Sequence, residues 1–160
     1  MPRLVPLLLA LILAAPPLRA ERIEVAPLPG ALAAALEAAQ AGDELILLPG
    51  RHHGPAVIAT PLTLRGEPGA VIDGGGRGSV VRVEAPDVTV QGLRIVNSGR
   101  VHEPIDAGVS LTRMATRAQV LDNDLSGNLV GVDIHGARDA RVARNRIEGL
   151  RLARMNDRGN

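Results

Sequence analysis

The sequence predicts an all-β chain wound as a right-handed parallel β-helix with a short N-terminal capping helix, and three observations carry that reading. The phrase running from Ala118 to Leu125 returns from Ala140 to Ile147, 22 residues later, with Val120 recurring as Val142, Asn123 as Asn145 and Leu125 as Ile147. A second phrase, Gly108-Val-Ser-Leu111, is echoed 23 residues later by Gly131-Val-Asp-Ile134. The composition is 46% apolar with 18 Gly and 12 Pro, which suits short strands punctuated by turns. Self-similarity at this period marks stacked repeats, in which one unit cannot bury its apolar face without its neighbours. Two phrases per period predict two short strands per coil.

The elements follow in order. Arg3 precedes an apolar run from Leu4 to Ala15 and small residues up to Ala20, the pattern of a secretory signal peptide, with cleavage expected after Ala20. An uncleaved anchor is the alternative, for which the run is short. The expected mature domain, 21–160, carries 16 Arg against 17 acids, and no Lys or Cys occurs anywhere. A near-neutral chain without Phe, Tyr or Trp has neither the charge footprint nor the stacking platforms of a nucleic-acid binder, and it has no disulfide partner. The segment Pro29 to Gly42 is rich in helix formers and places Leu32, Ala35, Leu36 and Ala39 on one face, so it predicts a helix sealing the first coil, with Gly42 as its left-handed cap.

From Glu44 onward short apolar runs alternate with Gly and Pro, and Leu62-Thr-Leu-Arg-Gly66 reappears as Val88-Thr-Val-Gln-Gly92. Alternation within these runs predicts inward columns Val90/Val120/Val142, Ile95/Leu125/Ile147, Val109/Val132 and Leu111/Ile134. Asn123 and Asn145 fall at a corner, where Asn accepts left-handed backbone and can hydrogen-bond its equivalent one coil away, so they are expected to form a structural ladder. Asp73-Gly-Gly-Gly76 reads as a coil corner, since it lacks the Lys and helix of a phosphate loop. The pattern gives four complete coils and the start of a fifth. It stops in mid-coil at Arg158-Gly-Asn160, so the expectation is a solenoid truncated at its C-terminal end.

Residues suited to chemistry are few. Asp122 and Asp124 could form the clustered acids of a polysaccharide-cleaving β-helix. The 22-residue offset instead sets Arg144 beside Asp122 and Arg146 beside Asp124, about 4.8 Å away by strand spacing, which predicts cross-coil ion pairs. Asp133 and His135 flank inward Ile134 and should both point outward, about 7 Å apart, above Ser110 and Thr112, as a metal or acid/base patch. His52 and His53, in the Pro49–Pro55 turn, are expected to project as adjacent imidazoles able to bind Cu(II), Zn or Ni ions. His102 lies in an insertion, 97–106, whose role the residues leave open. No nucleophile triad or recognised metal motif is present, and no catalytic residue is assigned.

The phrases Ala41-Gly-Asp-Glu-Leu-Ile-Leu-Leu-Pro-Gly50, Leu62-Thr-Leu-Arg-Gly-Glu67, Gly127-Asn-Leu-Val-Gly-Val-Asp-Ile-His-Gly136 and Arg154-Met-Asn-Asp-Arg-Gly-Asn160 together resemble the N-terminal part of the NosD family of periplasmic β-helix proteins. The resemblance runs from about Ala31 to Asn160. It implies a periplasmic, non-enzymatic accessory that works with ABC transporter subunits and a copper chaperone. Its role would be to assemble the copper-sulfide cluster of nitrous oxide reductase, with copper bound indirectly or weakly. The alternatives are a β-helix polysaccharide lyase or hydrolase, and a non-catalytic carbohydrate-binding or surface scaffold.

Overall fold

A computed structural model describes residues 20–150. The expected signal peptide falls almost entirely outside the described residues, as does the Arg154–Asn160 phrase. The described chain is a parallel solenoid of about six turns with a single short helix, matching a right-handed β-helix. The first sheet stacks β1 (Arg22–Val25), β2 (Glu44–Leu47), β5 (Thr63–Gly66), β8 (Thr89–Gln91), β11 (Gln119–Leu121) and β14 (Arg141–Ala143). The second stacks β3 (Gly50–His53), β6 (Ala70–Asp73), β9 (Arg94–Val96), β12 (Asp124–Asn128) and β15 (Arg146–Gly149). The third stacks β4 (Ala56–Ile58), β7 (Val81–Val83), β10 (Ala107–Leu111) and β13 (Val130–Ile134).

A complete coil therefore has three strands where the phrases predict two. The difference has a local cause. Asp122 and Arg144 adopt left-handed backbone, with φ of 55° and 57°, and Gly92 does the same at 68°. One such residue per coil folds the repeated phrase in its middle, so a strand pair separated by a two-residue corner reads in sequence as one continuous run. The corner residue that turns left-handed is thus the one before the Asn, and the Asn side chain is freed for bonding. Four coils carry all three strands, β14 and β15 begin a fifth, and the strand β1 with the helix forms a partial coil ahead of them that the repeat pattern does not display.

The helix α1 (Ala31–Ala38) is shorter than the 29–42 segment suggests, because Ala39 is already extended with ψ of 142°. Gly42 does not cap it; with φ of 95° it turns the chain into β2 and donates its N–H to the Pro61 carbonyl at 2.8 Å. Leu32 and Leu36 are buried, and α1 packs on β4, standing where a third-sheet strand of the first coil would lie. The cap therefore covers the N-terminal edge that stacked strands would otherwise present.

The core is a set of aliphatic columns in register. Val90 faces Val120, which faces Val142; Ile95 faces Leu125, which faces Ile147; Val109 faces Val132 and Leu111 faces Ile134. Each full burial of a Leu, Ile or Val side chain contributes roughly 1.5–3 kcal/mol. Burial changes along these columns: Val90, Val120, Ile95 and Leu125 are completely covered, whereas Ile134, Val142 and Ile147 are 50%, 38% and 44% exposed.

Candidate functional site

Four of the polar groups singled out by the sequence lie on the corner between the first and second sheets, and they pair with one another. Arg144 donates from Nε and Nη2 to the two carboxylate oxygens of Asp122 at 2.6 and 2.7 Å. The guanidinium hydrogen bonds hold the Asp122 carboxyl below the usual carboxylate range and raise Arg144. Arg146 reaches Asp124 only at 3.4 Å and sits closer to Glu148, at 2.8 Å, the nearer oxygen winning because it extends from the same strand. Beneath these pairs Asn123 donates its backbone N–H and its Nδ2 to Asn145 Oδ1 at 2.9 and 3.0 Å, and Nδ2 also to the Val90 carbonyl at 3.0 Å. Its own Oδ1 accepts the Leu93 N–H at 3.0 Å. This arrangement satisfies backbone groups at the corner and leaves no acid pair for proton transfer.

The next corner holds an equivalent that sequence reading missed. Asn128 is buried, donates to the Ile95 carbonyl at 2.9 Å and accepts the Ser98 N–H at 3.0 Å. Its signal was the Asn of Gly127-Asn128, hidden because the offset to Ser98 carries a different residue.

His52 and His53 are not adjacent ligands. They lie on the strand β3, where successive side chains point to opposite faces. His52 is fully buried, its Nε2 2.9 Å from the Leu48 carbonyl and its Nδ1 without a hydrogen-bond partner among the described residues, while His53 is exposed. Two imidazoles on opposite faces of one sheet cannot chelate one ion.

Asp133 and His135 do share a surface. Both line a cleft of about 720 Å³ over the outer face of the third sheet, with Ser110, Thr112 and Arg82 on its floor. The floor is set by register, Arg82 beside Ser110 and Ser110 beside Asp133. One wall is the 97–106 insertion, which contributes His102, Glu103, Pro104 and Ile105, and Met114 closes the rim. Asp106, buried, fixes this wall by accepting the Val101 N–H at 2.8 Å, and Ser79 Oγ accepts the Ala107 N–H at 3.0 Å. His102 and Glu103 are cleft residues that the sequence left unassigned, since no repeat relates the insertion to another coil.

The charges in the cleft are unevenly answered. Arg82 is tied to Glu84 at 2.5 Å. The carboxylates of Asp133 and Glu103 make no hydrogen bond or ion pair among the described residues. His52 and His53 belong to the second sheet and Asp133 and His135 to the end of a third-sheet strand, so these four residues are not brought into one site. Among the described residues no three His, Cys, Asp or Glu side chains converge in a way that could hold a metal ion, and no helix is long and apolar enough to cross a membrane.

Comparison with known proteins gives the family context. No protein-family model matches the chain. A Pseudomonas aeruginosa protein named "Probable ABC transporter binding protein NosD" is 39% identical over 155 residues, 97% of this chain and 34% of that protein. A Stutzerimonas stutzeri protein of the same name is 40% identical over 111 residues, 69% of this chain and 26% of its own length. The chain thus spans about a third and about a quarter of these two relatives. Among solved structures, a PL6 family alginate lyase superposes with a TM-score of 0.63 at 20% identity, over 78% of this chain and 19% of the lyase. A pectin methylesterase superposes with a TM-score of 0.56 at 21% identity, over 69% of this chain and 44% of the esterase. Those likenesses concern the fold. The coil repeat, the three-sheet solenoid and the identity of about 40% to proteins of that name make this chain a NosD-family β-helix segment.

Proposed function

We propose that the chain is part of an exported, non-catalytic accessory protein that works with an ABC transporter in the maturation of nitrous oxide reductase and assists assembly of its copper-sulfide cluster. The observation that carries this reading is the 39% identity over 155 residues to a relative named as a transporter binding protein. The corner chemistry supports it: Asp122 is held ionised by a bidentate guanidinium, a state unsuited to a general acid, and Asp124 lies within reach of Arg146. Copper in this reading is cargo. The His52 imidazole faces the core and Asp133 with His135 supplies at most two donors, so the described residues fit transient contact with a metal-carrying partner better than a resident ion.

The test is an in-frame deletion of the gene followed by purification of nitrous oxide reductase. The expected result is a reductase depleted in copper with lost activity, restored by the gene in trans. A fully loaded, active enzyme would overturn the proposal. A second reading, a polysaccharide-binding or polysaccharide-cleaving solenoid, is favoured only by the cleft, whose Asp133 and Glu103 carboxylates have no ion pair among the described residues. Appearance of unsaturated ends or of free carboxyls on incubating the chain with alginate or pectin would establish it.

A further inference from the structure

We propose that the third-sheet cleft is a receptor for a basic side chain, Arg or Lys, presented by a partner polypeptide. This deepens the partner-binding reading above and rests on it for the partner's existence, but its chemistry comes from the cleft alone.

The cleft combines two features that a long basic side chain needs. Its rim is apolar, with Ile105 42% and Met114 63% exposed beside Pro104, whereas most other large aliphatic side chains of the solenoid are buried. Its polar groups include two carboxylates, Asp133 and Glu103, that make no ion pair among the described residues, unlike Asp73, Asp87, Asp122 and Glu84, each of which has an Arg partner. A lysine or arginine buries its methylene stem on apolar surface while its head takes carboxylate acceptors. The volume, about 720 Å³, is in the range of sites that enclose one large side chain and its flanking backbone.

The cleft's own cations do not occupy this place. Arg82 is engaged by Glu84 at 2.5 Å. Arg113 lies across Gly136, its Cγ and Nε 3.7 Å from where a Cβ on that glycine would stand, so its stem is laid along the turn after β13. The wall is preformed as well. A Cβ on Gly99 would collide with Asp106 Oδ2, and Asp106 is itself bonded to the Val101 N–H, so the insertion is packed tightly against its own base. A preformed wall lowers the ordering cost of binding. An acidic peptide would meet the Asp133 and Glu103 carboxylates, with Arg113 the one cleft guanidinium that has no ion pair among the described residues, which disfavours it.

The experiment is isothermal titration calorimetry of the purified chain with an acetylated, amidated hexapeptide carrying two arginines among leucine and alanine, and with the same peptide carrying glutamates instead. The arginine peptide is expected to bind and the glutamate peptide not. Asp133→Asn and Glu103→Gln should each weaken binding about tenfold, the scale of losing one charge contact at an interface. Glu67→Gln, an acid outside the cleft, should leave it unchanged. Far-ultraviolet circular dichroism checks that each variant keeps its strands, and the two substitutions lie on different elements, so one misfolded variant does not remove the test. Equal weakening by Glu67→Gln, no binding of the arginine peptide, or preference for the glutamate peptide would each overturn the proposal. If the reductase proves independent of this gene while the peptide still binds through Asp133 and Glu103, the accessory reading fails and the receptor stands; the converse result fails the receptor alone.

Discussion

The corner between the first and second sheets and the cleft on the third sheet are built from the same residue types, yet one is closed and the other open. At the corner each acid is answered one coil away because the 22-residue period brings Arg144 and Arg146 into register with Asp122 and Asp124. At the cleft the register sets Ser110 beside Asp133 and Arg82 beside Ser110, and the 97–106 insertion adds Glu103, so neither carboxylate has an ion-pair partner among the described residues. Strict repetition consumes polar groups in stability; an insertion adds polar groups that the register does not answer.

The comparison is broken most severely from inside the corner. Asn123→Leu removes three side-chain hydrogen bonds and leaves the Val90 carbonyl and Leu93 N–H buried without their amide partner, an expected loss of about 3 kcal/mol in urea unfolding followed by circular dichroism. A similar but smaller loss, about 2 kcal/mol, is expected for Gly108→Ala under the cleft, where a Cβ would stand 2.8 Å from the Gly131 carbonyl oxygen and from Asn128 Nδ2. That variant should push β10 away from β13 and weaken any ligand of the cleft. His52→Ala should cost about 2 kcal/mol through a cavity and the lost bond to Leu48, while exposed His53→Ala should stay within about 0.5 kcal/mol.

Charge gives the smallest effects and sharpens the contrast. Asp122→Asn should lower the thermal midpoint slightly in about 0.1 M salt and by less in about 1 M salt, where the screening length falls from about 10 Å to about 3 Å. Asp133→Asn should leave the midpoint unchanged in either. The folded state holds Asp43 low through the N–H groups of Glu21 and Gln40, and Asp87 and Asp122 low through Arg117 and Arg144. The folded chain therefore binds fewer protons than the unfolded one where these groups titrate. Their contribution is complete above the unfolded carboxylate range and is lost as pH falls through the folded values, so a pH titration of the midpoint should show a drop confined to strongly acidic buffer.

Much of the fold was written in the period. The columns through Val90, Ile95, Val109 and Leu111, the Asp–Arg registers and the capping role of Leu32 and Leu36 all follow from spacing. The third strand per coil was hidden because a single left-handed residue such as Asp122 makes a corner without the Gly or Pro that marks most turns. The site was less legible. Strand alternation at His52 and His53 was overlooked because the Pro and Gly around them signal a turn, whereas the chain passes through them extended. His102 and Glu103 gave no signal, since an insertion has no counterpart one period away and its wall is fixed by long-range bonds such as that from Val101 to Asp106.

The uneven covering of apolar side chains has a consequence for motion. Each coil touches only its neighbours, so opening need not be all-or-none and can begin where covering is thinnest. Val90 and Val120 are completely covered inside the stack, whereas Val101 and Ile105 of the 97–106 insertion are 54% and 42% exposed. Amide protons of the insertion should then exchange with solvent well before those of β8 and β11, so that the wall of the cleft could breathe while the coils beneath it stay shut.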